Sequence, residues 1–195
     1  MFYFPAEYFL QVYSLPLISE VKFQNDYFSE YPEQIRVGSD RYGALRPGTA
    51  VSYTRESGYY AIHYNNRPKT IAPEAILQLN DGAIAVFSGK PNQSEQNKLS
   101  PIYTLQPNGS LAVPTGLVFI RFAEGVDVES QREEINRAGY EVAQILSYAP
   151  HSAWLRAQSG NIADAIARIP QLEVISKVEN IEPQMLMERG LRLER

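Results

Sequence analysis

Cysteine is absent from the 195-residue chain, which excludes disulfides, thiolate metal sites and cysteine nucleophiles. Histidine is scarce as well, and His63 and His151 are the only two. His63 falls in a strand-like segment and His151 beside a predicted turn, and neither belongs to a spaced set of acids and histidines with metal-ligand geometry. We therefore predict no metal site and no cofactor.

Positive charge is also limited, with 18 Lys and Arg against 22 Asp and Glu and a net charge of −4. Phosphate backbones are bound by clustered Lys and Arg, so we expect no nucleic-acid partner. The N-terminal residues lack a positively charged region followed by a long apolar run, so neither a signal peptide nor a membrane anchor is visible. We expect no membrane partner, and the localisation stays open.

Residues 1–114 hold most of the Pro, Tyr and Gly, and short apolar-aromatic runs alternate there with turn signals. This pattern predicts a small antiparallel all-β module. Gly58 and Gly109 suit the turns of two hairpins. The predicted strands lie at 50–55, 59–64, 83–88, 102–105 and 110–113.

From Leu117 onward, strand-like alternation and helix-like periodicity follow each other. The predicted elements are a strand at 117–122, a helix from an Asp127 N-cap to Gly139, strands at 140–146 and 153–157 separated by a turn at 149–151, a helix from an Asn161 N-cap to Pro170, and a strand from Val174 through Ile181. This β-α-β-β-α-β order is typical of the ferredoxin-like arrangement, in which both helices cover one face of a four-stranded antiparallel sheet. The predicted fold class is therefore α+β.

The other face of such a sheet is normally polar where it meets water. The first strand departs from that rule, because Leu117 and Phe119 are apolar as well as their neighbours of opposite parity, and Trp154 adds a third large apolar side chain. Two explanations stay open. Either the N-terminal module covers this face, or the face is a docking surface for another protein.

Four sequence blocks carry a family resemblance: VFIRFAEGV at 118–126, AGY at 138–140, NIADAI at 161–166 and VENIEP at 178–183. In this order and spacing they are similar to the propeptides of subtilisin-type serine proteases (subtilases), particularly the longer bacterial and cyanobacterial variants. The resemblance covers residues 115–187 and implies a ferredoxin-like propeptide domain there. Residues 188–195 are then a C-terminal tail.

The resemblance also implies a mechanism. Such propeptides lay the open sheet face on the protease, place a carboxylate at helix N-termini of the protease, and run their tail through the substrate cleft. By position, the docking residues are Leu117, Phe119, Trp154, Glu182 (the helix-capping carboxylate) and Gln184. The cleft-binding tail is Met185, Leu186, Met187, Glu188 and Arg189.

The partner so implied is the catalytic domain of a subtilisin-type protease, in the same chain or another, and the role is that of inhibitor and folding chaperone. The catalytic sequence blocks of subtilases and the Gly-x-Ser-x-Gly elbow are missing, so we expect no enzymatic activity. Two alternatives remain: a ferredoxin-like module that binds a small ligand or RNA, and a structural or assembly protein.

Overall fold

The computed structural model describes residues 27–37, 51–65, 68, 70, 72–92 and 99–188. The fold is mixed α+β, as predicted, and consists of one sheet and short helices. The strands are β1 (Gln34–Val37), β2 (Val51–His63), β3 (Leu77–Leu79), β4 (Ile84–Ser88), β5 (Leu99–Gln106), β6 (Ser110–Phe122), β7 (Tyr140–Leu146), β8 (Ala149–Ala157) and β9 (Val178–Met187). The helices are α1 (Arg132–Arg137), α2 (Ile162–Ala167) and α3 (Ile169–Glu173), with 3₁₀ turns at Asn80–Gly82 and Val128–Gln131.

All pairings among the described strands are antiparallel. The N-terminal part runs β3-β4-β2-β5-β6, with β1 also paired to β2, and the C-terminal part runs β9-β6-β8-β7. Ala112 pairs with β5 on one side and β9 on the other, and Val118 pairs with β8 and β9 in the same way. Strand β9 therefore follows one edge of β6, while β5 and β8 share the opposite edge at its two ends.

The helices cover one face of the C-terminal strands. Val118, Ile120 and Phe122 alternate along β6 and are completely buried. They join a core with Val128, Ile135, Tyr140, Leu155, Ala165 and Leu172. The two-residue period of the strand thus places one apolar row under the helices.

Helix α2 belongs to two cores at once. Its Ala165 lies in the core under the helices, whereas Ala163 and Ile166 pack with Tyr53 and Tyr103 of the N-terminal strands. A third cluster, on the other side of the N-terminal strands, contains Ala61, Leu79, Ile84, Val86, Ile102 and Val113. Together with the continuous β6, α2 joins the two parts of the chain.

Several local predictions are confirmed. The strands at 102–105 and 110–113 form a hairpin, and Leu105 pairs with Ser110. The Asn161 side chain caps α2 by accepting the Ala163 N–H at 2.9 Å. Gly139 follows α1 with φ 86°, as expected of a C′ glycine.

The predicted hairpin around 56–58 is wrong, because β2 is one strand from Val51 to His63. Both halves of β2 pair with the same neighbour, β5, so the chain does not reverse direction. The register shifts between Glu56 and Tyr60, and Gly58 has φ 83°. The segment read as a turn is therefore a bulge inside a strand.

Boundaries in the C-terminal part also differ from prediction. Pro170 does not end a helix but lies in the first turn of α3, where its missing N–H is not needed. The last strand begins at Val178 rather than Val174, after Lys177 at φ 64°. The predicted turn at 149–151 is wrong too, since Ala149 already belongs to β8. Asp127 precedes a 3₁₀ turn, and its side chain makes no capping hydrogen bond.

The boundary predicted between residues 114 and 115 falls within β6. At that point the pairing of β6 with β9 shifts register between Pro114 and Val118. Gly116, at φ 86°, lies in this irregularity, and a Cβ there would meet Ile162 Cγ1 at 3.1 Å. The crossing from one part to the other thus requires a glycine in contact with α2.

Replacing Gly116 by Ala is expected to lower the free energy of unfolding by about 2–3 kcal/mol, because the positive φ and the close approach to Ile162 both add cost. Urea unfolding measures the effect. Gly125→Ala is the matched control: its φ is 82° and nothing lies within 4 Å of an added Cβ. The control should cost only about 1 kcal/mol, and equal losses in both variants would contradict close packing at Gly116.

Three buried tyrosines donate their hydroxyl hydrogens to backbone carbonyls: Tyr31 to Leu99 at 3.2 Å, Tyr103 to Pro32 at 2.8 Å and Tyr140 to Ala165 at 2.6 Å. Burial raises the pKa of each phenol well above its usual range. The folded protein therefore keeps these protons at a pH where the unfolded chain loses them. Stability from these groups is complete below pH of about 10 and falls as pH rises further.

Tyr140→Phe removes one of these titrations. Above pH of about 10 the slope of unfolding free energy against pH should become less steep by about 1.4 kcal/mol per pH unit. Urea unfolding from pH 8 to 11 tests this. Tyr148→Phe is the control because that ring is 83% exposed and gains little from folding; an unchanged slope in the Tyr140 variant would refute the assignment.

Candidate docking face

The candidate site is the sheet face opposite the helices, in strands β9, β6, β8 and β7. We call it the open face. Phe119 lies at its centre, paired in register with Trp154 of β8 on one side and Glu182 of β9 on the other. Next along β6, Leu117 pairs with Arg156. The structure thus brings together four of the five predicted docking residues, Leu117, Phe119, Trp154 and Glu182, on adjacent strands.

The centre of the open face is an aromatic pair. The rings of Phe119 and Trp154 are 5.4 Å apart between centroids, with an interplanar angle of 63°. Both side chains are only half-buried. Since Trp154 is the only tryptophan of the chain, tryptophan fluorescence reports on this face alone.

Charged side chains border the aromatic pair. Arg156 forms an ion pair with Glu141 on the neighbouring strand, and Arg121 Nε lies 3.4 Å from Glu179 Oε2. The Arg121 and Glu179 side chains are 38% and 37% exposed. Each cation has an anion beside it, so the face has an apolar centre and a nearly neutral polar rim, the usual arrangement of a protein–protein interface.

Glu182 lies where the open face meets the N-terminal part. Its Oε1 accepts a hydrogen bond from Asn180 Nδ2 at 2.9 Å. Burial, and second the charge of Glu182, raise the pKa of the Tyr53 phenol on β2. The carboxylate is half-buried and has one described hydrogen-bond partner, so it retains acceptor capacity for donors from another molecule.

Gln184, the fifth predicted docking residue, is engaged within the chain. Its Oε1 accepts a hydrogen bond from Thr115 Oγ1 at 2.8 Å, and the same hydroxyl accepts the Leu117 N–H at 3.2 Å. Both bonds lie at the register shift between β6 and β9. The described geometry gives Gln184 a structural role at this joint.

The predicted cleft-binding tail is mostly part of the sheet. Met185, Leu186 and Met187 pair with Pro114, Val113 and Ala112 of β6. The two methionines pack against the core that contains Tyr53 and Tyr103, and Leu186 packs against the cluster on the opposite side. Glu188 is exposed. Arg189 lies outside the described residues.

Sequence reasoning missed a groove in the N-terminal part. It has a volume of about 480 Å³ and is lined by Tyr27, Arg55, Glu56, Tyr59 and Lys90, among others. Arg55 donates to the carbonyl of Phe28 and lies 3.8 Å from Glu33, and Glu56 accepts from Thr104 at 2.6 Å. These residues come from separate segments with no shared motif, so no local signal could have found the groove.

His63 lies in β2, with Nε2 2.8 Å from the buried Ser100 Oγ. No group of three or more His, Cys, Asp or Glu suitable for a metal ion occurs among the described residues. In the same part of the chain, no helix has the length and apolar character needed to cross a membrane.

Comparisons with protein families, with curated proteins and with solved structures find no match to this chain.

Replacing Phe119 by Ala is expected to expose Trp154, shift its fluorescence emission to longer wavelength and cost about 1–3 kcal/mol of stability, since an aromatic pair and buried area are lost. Fluorescence and urea unfolding measure the two effects. Arg121→Ala, two residues along on the same face, is the control. An unshifted emission maximum in the Phe119 variant would contradict the described ring contact.

Proposed function

We propose that this chain is a propeptide-like inhibitor and folding chaperone of a subtilisin-type serine protease, acting through the open face. The proposal includes the finer fold assignment, a ferredoxin-like unit at residues 115–187. The strand order β9-β6-β8-β7, with all neighbours antiparallel, supports that assignment. The helices packed against the buried row of β6 support it as well.

The observation that carries the proposal is the partly exposed aromatic pair of Phe119 and Trp154 at the centre of a nearly neutral rim. Large aromatic residues near the centre of a surface patch are the usual anchors of protein–protein binding. A surface without excess charge of either sign suits a partner held by shape and apolar contact rather than by a strong field.

Glu182 places a carboxylate on one side of the apolar centre. It lies on β9, directly opposite Phe119 of β6. In the proposed complex its carboxylate accepts N–H groups at the exposed N-terminus of a protease helix, where the helix dipole favours negative charge. Binding the folded protease in preference to its unfolded chain then stabilises that fold, which is the chaperone role.

The alternatives receive less support. An RNA-binding face needs stacking aromatics beside available basic groups, yet Arg156 and Arg121 have carboxylate partners on the face. An assembly in which the N-terminal part simply covers this face would bury its centre. The described N-terminal strands instead extend the sheet, and Phe119 and Trp154 stay partly exposed.

The test is inhibition of a panel of mature subtilisin-type proteases by the full chain. We expect inhibition near the nanomolar range for a cognate enzyme, and Trp154→Ala should weaken it by about 30-fold, the effect of losing a hot-spot residue of 2 kcal/mol. Tyr148→Ala is the control, because this exposed aromatic lies at the turn between β7 and β8 and not on the face. The control should inhibit like the wild type.

A direct measurement of docking uses the single tryptophan. In chain labelled with 5-fluorotryptophan, the one ¹⁹F resonance of Trp154 should shift when a protease with its catalytic serine replaced by alanine is added. Inhibition without any change in this resonance would exclude docking through the open face. No inhibition of any panel member, with no resonance change, would refute the proposed function.

A further inference from the structure

Met185, Leu186 and Met187 belong both to the sheet and to its cores. Their backbone pairs with β6, and their side chains contribute to cores on both sides of the N-terminal strands. While these side chains are packed against the cores, they cannot also fill the pockets of a substrate cleft. If the proposed function holds, the two positions compete.

The end of β9 is separable from the rest of that strand. The pairing of β6 and β9 is interrupted between Pro114 and Val118, so residues 185–187 form a short ladder of their own. Pro114 has no N–H to donate to this ladder. The Thr115–Gln184 hydrogen bond, at 2.8 Å, lies at the interruption.

The same segment is also suited to leaving the sheet. Within the described residues β9 pairs with β6 only, which makes it an edge strand. The side chains of Met185, Leu186 and Met187 are half-buried rather than fully enclosed. Strand addition to a cleft edge would offer the same backbone N–H and C=O groups new partners in place of those on β6.

We propose that residues 112–114 of β6 act as a latch that holds residues 185–187 in the sheet, and that inhibition requires this segment to detach from β6 and enter the protease cleft. The proposal rests on the proposed function and concerns its regulation. The pairing with β6 thereby sets the fraction of molecules whose segment is free to bind. The apparent affinity for the protease falls in proportion to that fraction.

The absence of cysteine allows a clean test. Ala112 and Met187 are register partners, and paired strand residues have Cα atoms about 4.5–5.5 Å apart, within the range a disulfide spans. The double variant Ala112→Cys/Met187→Cys should therefore form one cross-link that locks the end of β9 onto β6.

The control cross-links β6 to its other neighbour, β5. Leu105 and Ser110 are register partners, and neither lies on the open face or in the segment that would detach. Leu105→Cys/Ser110→Cys is thus locked in a region that stays in the sheet under the proposal. Each double variant is compared with itself, oxidised against reduced, so that effects of the substitutions cancel, and the wild-type chain receives the same reductant.

We expect the oxidised Ala112/Met187 variant to inhibit at least about 10-fold more weakly than its reduced form, with full recovery on reduction, while the Leu105/Ser110 variant inhibits equally in both states. Equal inhibition by the oxidised and reduced Ala112/Met187 variant would overturn the latch and leave the proposed function standing, with cleft binding assigned to the chain after Glu188. Failure of the wild-type chain to inhibit at all would overturn both.

Discussion

The pairing of β6 with β9 is the interaction on which the rest of the structure depends. Strand β6 runs from Ser110 to Phe122, and β9 follows it antiparallel from Phe122 back to Ala112. One end of this pair lies under the helices, and the other lies between the two clusters of the N-terminal strands. Both the N-terminal and the C-terminal part of the sheet therefore include strands β6 and β9.

This shared pair explains why the N-terminal strands and the helical part pack as they do. Helix α2 lies against the irregularity at Gly116, so its apolar side chains reach both cores. Small domains bury little apolar surface for their size. Because the two parts share two long strands and one helix, each completes its core with residues of the other. A substitution where β6 passes from one part to the other therefore affects the packing of both cores.

Local signals in the sequence predicted the local features. The period of two in β6, the Asn161 cap and Gly139 after α1 each depend on neighbouring residues, and each appears as expected. The apolar character of the face opposite the helices was predictable for the same reason. Leu117 and Phe119 share a parity that a solvent-facing strand would fill with polar residues.

The errors arose where a distant segment decides the conformation. Glu56-Ser-Gly58 has the composition of a turn, but pairing of both halves of β2 with β5 makes it a bulge. The final strand was predicted to end near Ile181 because nothing local shows that residues 185–187 find partners at 112–114. Contacts between positions about seventy residues apart leave no periodic signal in one sequence, and the groove near Arg55 escaped notice for that reason too.

The placement of the Met185–Met187 segment has a physical logic independent of any partner. An apolar extended segment with unpaired backbone groups is a template for unwanted strand pairing. Pairing it with β6 satisfies backbone groups along one of its two edges, and splitting its side chains between two clusters removes apolar surface from water. If the segment also binds a partner, its pairing with β6 has to be less favourable in free energy than its binding to that partner. A three-residue ladder beside Pro114 is set apart by a register shift from the longer ladder under the helices, so it can open without breaking the rest of the β6–β9 pair.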